Sequence, residues 1–172
     1  MNAFILLIPL ILIRYGLAYL IDKKALVRAA HYPPFDNDKK IFLSLYQLAM
    51  IVLLIIPFFL KVQPVSAITY VGYGIYGLGI LILILSTINF AKPNSNNLNT
   101  NGLYRFSRNP MYVGYFVYFL GCALITHSIL MIVVLVIFQV SCHWLILAEE
   151  KWCLNHFGDE YRNYMKSVRR YL

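Results

Sequence analysis

The sequence predicts an all-α polytopic membrane protein, and three observations carry that prediction. Of its 172 residues 60% are hydrophobic and 13% charged, where soluble domains carry about 45–50% and about 25%. A mean hydropathy of +0.67 over 19.9 kDa leaves more apolar surface than one small core can hide, so lipid must solvate much of it. The apolar residues also gather in five runs close to the ~20 residues that a helix needs to cross a bilayer. A disordered chain is excluded by the same figures.

In chain order the runs are 3–21, 41–60, 67–88, 111–126 and 129–148. The first has no basic leading region and no small-residue cleavage site, so it reads as a retained helix. Arg14 inside it is expected to snorkel to the headgroups, with a buried carboxylate partner as the sharper alternative. Between the first and second runs, His31-Tyr32-Pro33-Pro34-Phe35 breaks any helix. In the third, Gly72-Tyr73-Gly74-Ile75-Tyr76-Gly77 matches the letters of a dinucleotide fingerprint, but no strand precedes it. Those glycines are expected to let helices approach, with cleft lining the lesser alternative.

Lys92-Pro93-Asn94-Ser95-Asn96-Asn97 reads as a turn-rich loop. Only His127 and Ser128 separate the last two runs, which predicts a tight helical hairpin. From Glu149 to Leu172 charges alternate with Trp152, Leu154, Phe157, Tyr161 and Tyr164. That spacing predicts an amphipathic helix pair bent at Gly158.

Thirteen Lys and Arg fall in 22–40, 89–109 and the tail, against Lys61 alone on the other side. This asymmetry puts the amino terminus outside and the carboxyl terminus in the cytoplasm, in a cell inner membrane. The net charge of +8 is dispersed between apolar runs, which argues for membrane topology and against a nucleic-acid partner. Three scattered cysteines suggest neither a disulfide framework nor a metal site. Residues 1–172 are expected to form one integral-membrane domain. Three spans occupy 1–88, and the connecting loop, hairpin and carboxyl-terminal segment occupy 89–172. Oligomeric state is left open.

Two constellations carry chemistry. Asn109 followed by Pro110 marks a helix start, since Asn caps free N–H groups and proline suits the first helical position. Arg108 beside it makes an anion site or simply marks the interface, and composition favours neither. On the fifth run, Gln139, His143 and Glu150 share a helical face. A lone His143 is more often an interhelical hydrogen bonder than a catalyst. Glu149 and Glu150 sit where the helix carboxyl end disfavours negative charge, so they call for Arg108 or a bound cation.

The stretch from Asn99 to Gly114, with Gly102-Leu103-Tyr104 and then Ser107-Arg108-Asn109-Pro110-Met111-Tyr112-Val113-Gly114, resembles the cofactor segment of the integral-membrane methyltransferases. That group includes isoprenylcysteine carboxyl methyltransferases and phospholipid N-methyltransferases. Glu149-Glu150, then His156-Phe157-Gly158-Asp159-Glu160-Tyr161, Tyr164 and Val168-Arg169-Arg170, resembles its carboxyl-terminal signature. The resemblance implies S-adenosyl-L-methionine (AdoMet) as cofactor, held between the last two membrane helices and the tail. It implies cofactor contacts at Tyr104, Asn109, Pro110, Tyr112, Gly114, His143, Glu149 and Glu150, with Arg108 and Glu150 as catalytic residues. Asn109 stands where the prenylcysteine enzymes usually have His.

The ligand's ammonium and sulfonium suit Glu149 or Glu150, and its carboxylate suits the helix start with Arg108 or Tyr104. Methyl transfer is an in-line displacement that depends mainly on alignment. The expected acceptor is a lipophilic or small molecule: an isoprenylcysteine-type carboxylate, a lipid amine or a thiol. The competing expectations are an NADPH-dependent membrane reductase of the sterol-reductase type and a non-enzymatic polytopic scaffold.

Overall fold

The computed structural model describes residues 1–23, 27–28, 40–93 and 98–171. The proline-rich break at His31–Phe35 and the Asn94–Asn97 part of the second loop lie outside the described residues. Six helices are seen among the rest: α1 (Ala3–Ile21), α2 (Lys40–Phe59), α3 (Ala67–Ala91), α4 (Pro110–Thr126), α5 (Ile129–Phe157) and α6 (Asp159–Ser167). Four of them, α1, α2, α3 and α5, are long and apolar enough to span a membrane. The expected fourth span, α4, is shorter at 17 residues, about 25 Å against a hydrocarbon core of about 30 Å.

One end of the bundle is closed by backbone pairing. Ala3 N–H donates to Leu60 O at 3.0 Å, Val62 N–H to Met1 O at 3.0 Å, and Gln63 N–H to Ile125 O at 3.1 Å. The amino terminus, the α2–α3 connection and the α4–α5 hairpin therefore share this end. The hairpin turns as expected on two residues. His127 takes a left-handed conformation (φ 50°), and the Ser128 side chain caps α5 by accepting from Met131 N–H at 3.2 Å.

α3 and α4 pack tightly on a glycine seam. A Cβ at Gly79 would lie 2.5 Å from the Tyr118 backbone, and one at Gly121 would lie 2.5 Å from the Tyr76 backbone. Of the apparent fingerprint only Gly72 takes part, against Ile125, while Gly74 and Gly77 meet nothing within 4 Å. Tyr76 and Tyr118 both donate to Leu6 O, which ties α1 to this pair.

Two elements depart from expectation. α1 is not a uniform helix: a wide π turn at Leu12–Leu17 interrupts it and carries Arg14. The fifth span does not stop at Ala148, since α5 runs unbroken for 29 residues to Phe157 before Gly158 turns the chain into α6. At 1.5 Å per residue that helix is about 43 Å long, so its last turns extend beyond the hydrocarbon core. The amphipathic pair exists, but its first member is the continuation of a membrane helix.

Candidate functional site

The end of the bundle opposite the hairpin holds a cavity of about 870 Å³, within the ~300–1,000 Å³ typical of small-molecule sites. All six helices reach it. Arg14 comes from α1, Tyr46 from α2, Phe90 from α3, Arg108 from the residues before α4 and Tyr112 from α4. Glu149, Glu150 and Trp152 come from α5, and Tyr161 and Tyr164 from α6. The α3–α4 connection adds Asn99 and Tyr104.

Local structure explains the placement of that connection. Gly102 has φ +57°, a conformation that suits glycine, and it begins a short 3₁₀ turn at Gly102–Arg105. Leu103 N–H then donates to Asn89 Oδ1 at 3.0 Å, which fixes the turn to the end of α3. Tyr164 donates its hydroxyl to Tyr104 O at 2.6 Å. Burial pushes the Tyr104 phenol well above its ordinary pKa, so it remains a protonated donor.

Glu150 is the centre of a closed ionic cluster. Arg108 Nε and Nη2 donate to its Oε1 at 3.0 and 2.8 Å, while Arg170 Nε and Nη2 donate to its Oε2 at 3.1 and 2.9 Å. The Glu150 and Arg108 side chains are 5% and 7% exposed. Arg108 Nη1 also donates to Met165 O and Val168 O at 3.0 and 2.7 Å. These bonds hold the last turn of α6 and the chain just after it back against α5. Arg108 N–H donates to Arg169 O at 2.9 Å, and Asn109 Nδ2 donates to Arg170 O at 3.1 Å. The bond to Glu150 raises the Arg170 pKa further, so that guanidinium is a fixed cation.

The next residue along α5 is held differently. Glu149 Oε1 accepts from the Tyr112 hydroxyl at 2.7 Å, and among the described residues no salt bridge reaches it. Tyr112 in turn stands edge-on to Tyr46 at 6.4 Å between ring centres. Nearby in the wall, Asn99 Oδ1 is buried and has no hydrogen-bond partner among the described residues.

The cavity thus brings together Tyr104, Arg108, Asn109, Tyr112, Glu149 and Glu150. It does not include Pro110, Gly114 or His143. Pro110 is buried at the first position of α4 and serves the helix start. Gly114 faces α3, where a Cβ would meet Leu83 at 3.0 Å. His143 Nδ1 lies 2.7 Å from the Tyr171 hydroxyl, so the returning tail covers that face of α5. Asn109 is a correction of another kind: its side chain does not cap α4, because it is turned to Arg170 O. The helix-end argument for the glutamates also fails, since α5 continues past them to Phe157. Burial creates their need for partners.

Sequence reasoning missed Arg170, Asn99 and Tyr46 as wall or cluster residues, and expected Arg14 mainly at the headgroups. A positive charge inside an apolar run was the available signal for Arg14. Asn99 opens the stretch that resembles the cofactor segment, which was the available signal for it, and nothing local marks Tyr46.

The family model for phospholipid methyltransferase matches residues 65–160. The chain belongs to the phospholipid methyltransferase family. The matched region runs from the start of α3 to the first turn of α6, and it contains all six of the expected residues that line the cavity. The protein is therefore an integral-membrane methyltransferase, in a family whose members generally use AdoMet. Helices α1 and α2, with Arg14 and Tyr46, lie outside the matched region, as does the chain beyond residue 160. No curated protein and no solved structure matches the chain.

Proposed function

We propose that this protein transfers a methyl group from AdoMet to a lipophilic acceptor that enters the cavity from the bilayer. The observation that carries the proposal is the division of labour in the cavity wall: Glu150 is consumed by Arg108 and Arg170, while Glu149 lines the cavity and forms no salt bridge among the described residues. A carboxylate in that position suits a cationic ligand. Asn99 Oδ1 fits the same group, as a buried acceptor without a partner among the described residues.

AdoMet, when bound, supplies an electrophilic methyl on a sulfonium. The protein's part is to hold and align. Tyr112 fixes the Glu149 carboxylate through its hydroxyl, and Glu149 receives the ligand's positive groups. The first turn of α4, whose Asn109 side chain is directed to the tail, offers backbone N–H groups and a favourable dipole to the ligand's carboxylate. Arg108, with its N–H groups engaged by Glu150, Met165 and Val168, is a positioning residue that keeps the tail against the site. Alignment of two bound reactants supplies a large share of such an acceleration.

In this reading residues 1–172 act as one unit, because α1 and α2 contribute Arg14 and Tyr46 to the same wall. The thirteen-to-one basic asymmetry supports a cytoplasmic cavity and an external amino terminus. The test is to reconstitute the protein in nanodiscs of native lipid and add AdoMet labelled in the methyl group. The proposal expects protein-dependent label in the chloroform-extractable fraction, abolished by Glu149→Gln. Label that never leaves AdoMet, with extracted lipids, isoprenyl thiols and isoprenyl carboxylates all offered, contradicts it.

A further inference from the structure

We propose that a groove on the outer side of α5 holds the hydroxyl group of a neutral lipid alcohol, between the Gln139 carboxamide and the His143 ring. The groove shares no lining residue with the cavity, so its occupant is independent of the methyl-transfer reading.

The face of α5 that carries Gln139, His143 and Glu150 is a ladder. Arg170 meets Glu150 and Tyr171 meets His143, but Gln139 Oε1 is buried without a hydrogen-bond partner among the described residues. Gln139 lies about 15 Å along α5 from its start at Ile129, near the middle of a hydrocarbon core of about 30 Å. Neither water nor lipid tails satisfy a polar group at that depth, so the open rung calls for a ligand. One turn further on, His143 Nδ1 is 2.7 Å from the Tyr171 hydroxyl. With that hydroxyl donating to Nδ1, the ring proton sits on Nε2, which makes no hydrogen bond among the described residues. A hydroxyl answers both groups: it donates to Gln139 Oε1 and accepts from His143 Nε2–H. Side chains four apart on a helix stand about 5–6 Å apart at Cβ, a span that one oxygen bridges. The opposite amide and ring assignments reverse these two roles and leave the match intact.

The groove has a volume of about 370 Å³ and is lined by Gln139, Val140, His143, Trp144 and Tyr171. Its walls are set by packing. Trp144 stacks on Phe42 of α2 at 4.8 Å between ring centres and stands edge-on to His143 at 5.9 Å. None of the five lining residues is a carboxylate, lysine or arginine, so a charged head would enter the hydrocarbon without a counterion. An alcohol carries no such cost. Toward the other end of α5, Ile132, Val133, Val136 and Val140 are exposed, an apolar track along which the alcohol's chain can lie. The bound hydroxyl would touch the groups beside Tyr171, the neighbour of Arg170 in the clasped tail.

The test uses the full chain in dodecyl maltoside, titrated calorimetrically with dodecanol, 4-octylphenol and dodecyl methyl ether, each added in mixed micelles. The ether accepts a hydrogen bond but cannot donate one. Wild type is expected to bind at least one of the alcohols saturably and about tenfold or more tighter than the ether, and Gln139→Leu to remove that preference. The thermal midpoint of the variant should stay at or above that of wild type, because an apolar side chain replaces an amide without a full set of partners. Gln139→Met gives the same comparison where Gln139→Leu does not purify folded. Preference for the phenol points to a ring-bearing lipid against Trp144, and preference for dodecanol to a chain alcohol; either supports the proposal.

Three outcomes overturn it: no saturable binding of either alcohol by wild type, equal binding of the ether, or unchanged alcohol affinity in the variant. Light scattering that shows a wild-type dimer and a monomeric Gln139→Leu overturns it as well, because a second copy then fills the groove. Failure of wild type to bind AdoMet bears on the methyl-transfer reading alone, and the alcohol titrations still decide what the groove takes.

Discussion

Glu149 and Glu150 are neighbours on one helix turn, identical in chemistry, and they head two regions built in opposite ways. Around Glu150 two arginines fill both carboxylate oxygens, and the same Arg108 secures two tail carbonyls. Around Glu149 a single tyrosine hydroxyl is bonded among the described residues, in a wall that also holds Asn99 Oδ1, which has no partner among them. The closed region spends its charges on holding the chain, where a broken pair costs more than the intact pair contributes. The open one keeps its capacity for a ligand. A motif of two glutamates therefore divides into a structural member and a ligand-facing member, and tertiary placement decides which is which.

Substitutions in the closed region should act on stability, in descending order. Glu150→Gln leaves two guanidiniums, one of them buried, facing a neutral amide. Breaking one partner of a buried pair costs about 3–5 kcal/mol, so its unfolding midpoint in detergent should fall furthest. Arg108→Lys keeps the charge but loses the fork that spans Glu150 and the tail carbonyls. The expected cost is about 2 kcal/mol, read as faster proteolysis after Ser167. Arg170→Lys should cost about 1 kcal/mol or less, because Arg170 is 31% exposed and solvent screens its pairing. Glu149→Gln should have the smallest effect, within about 1 kcal/mol of wild type, since Tyr112 can donate to the amide oxygen and a neutral group is cheaper to bury. A Glu149 variant that unfolds as readily as the Glu150 variant would erase the distinction.

Much of the fold was legible because it is locally encoded. Apolar runs marked the helices, His127-Ser128 the hairpin, Gly158 the bend and Asn109-Pro110 the start of α4. The exit of α5 from the membrane was not legible, since Glu149 and Lys151 continue the helical register without a stop signal until Gly158. The candidate site divides along the same line. Tyr112, Glu149 and Glu150 could be named from motif spacing, but spacing does not say that Gly114 packs on Leu83 or that Tyr171 returns to His143. Arg170 joins the region through a contact made across the fold, 20 residues from Glu150, and no periodicity records such a contact.

The most direct measurement is calorimetric titration of AdoMet into purified wild type, Glu149→Gln and Arg170→Lys. Wild type should bind with a single saturable isotherm, Arg170→Lys should bind nearly as well, and Glu149→Gln should lose about tenfold or more in affinity, roughly 1.4 kcal/mol, while its unfolding midpoint stays near that of wild type. Equal affinity in wild type and Glu149→Gln, or no binding to any of the three, would contradict the assignment of Glu149 as the carboxylate that receives the methyl donor.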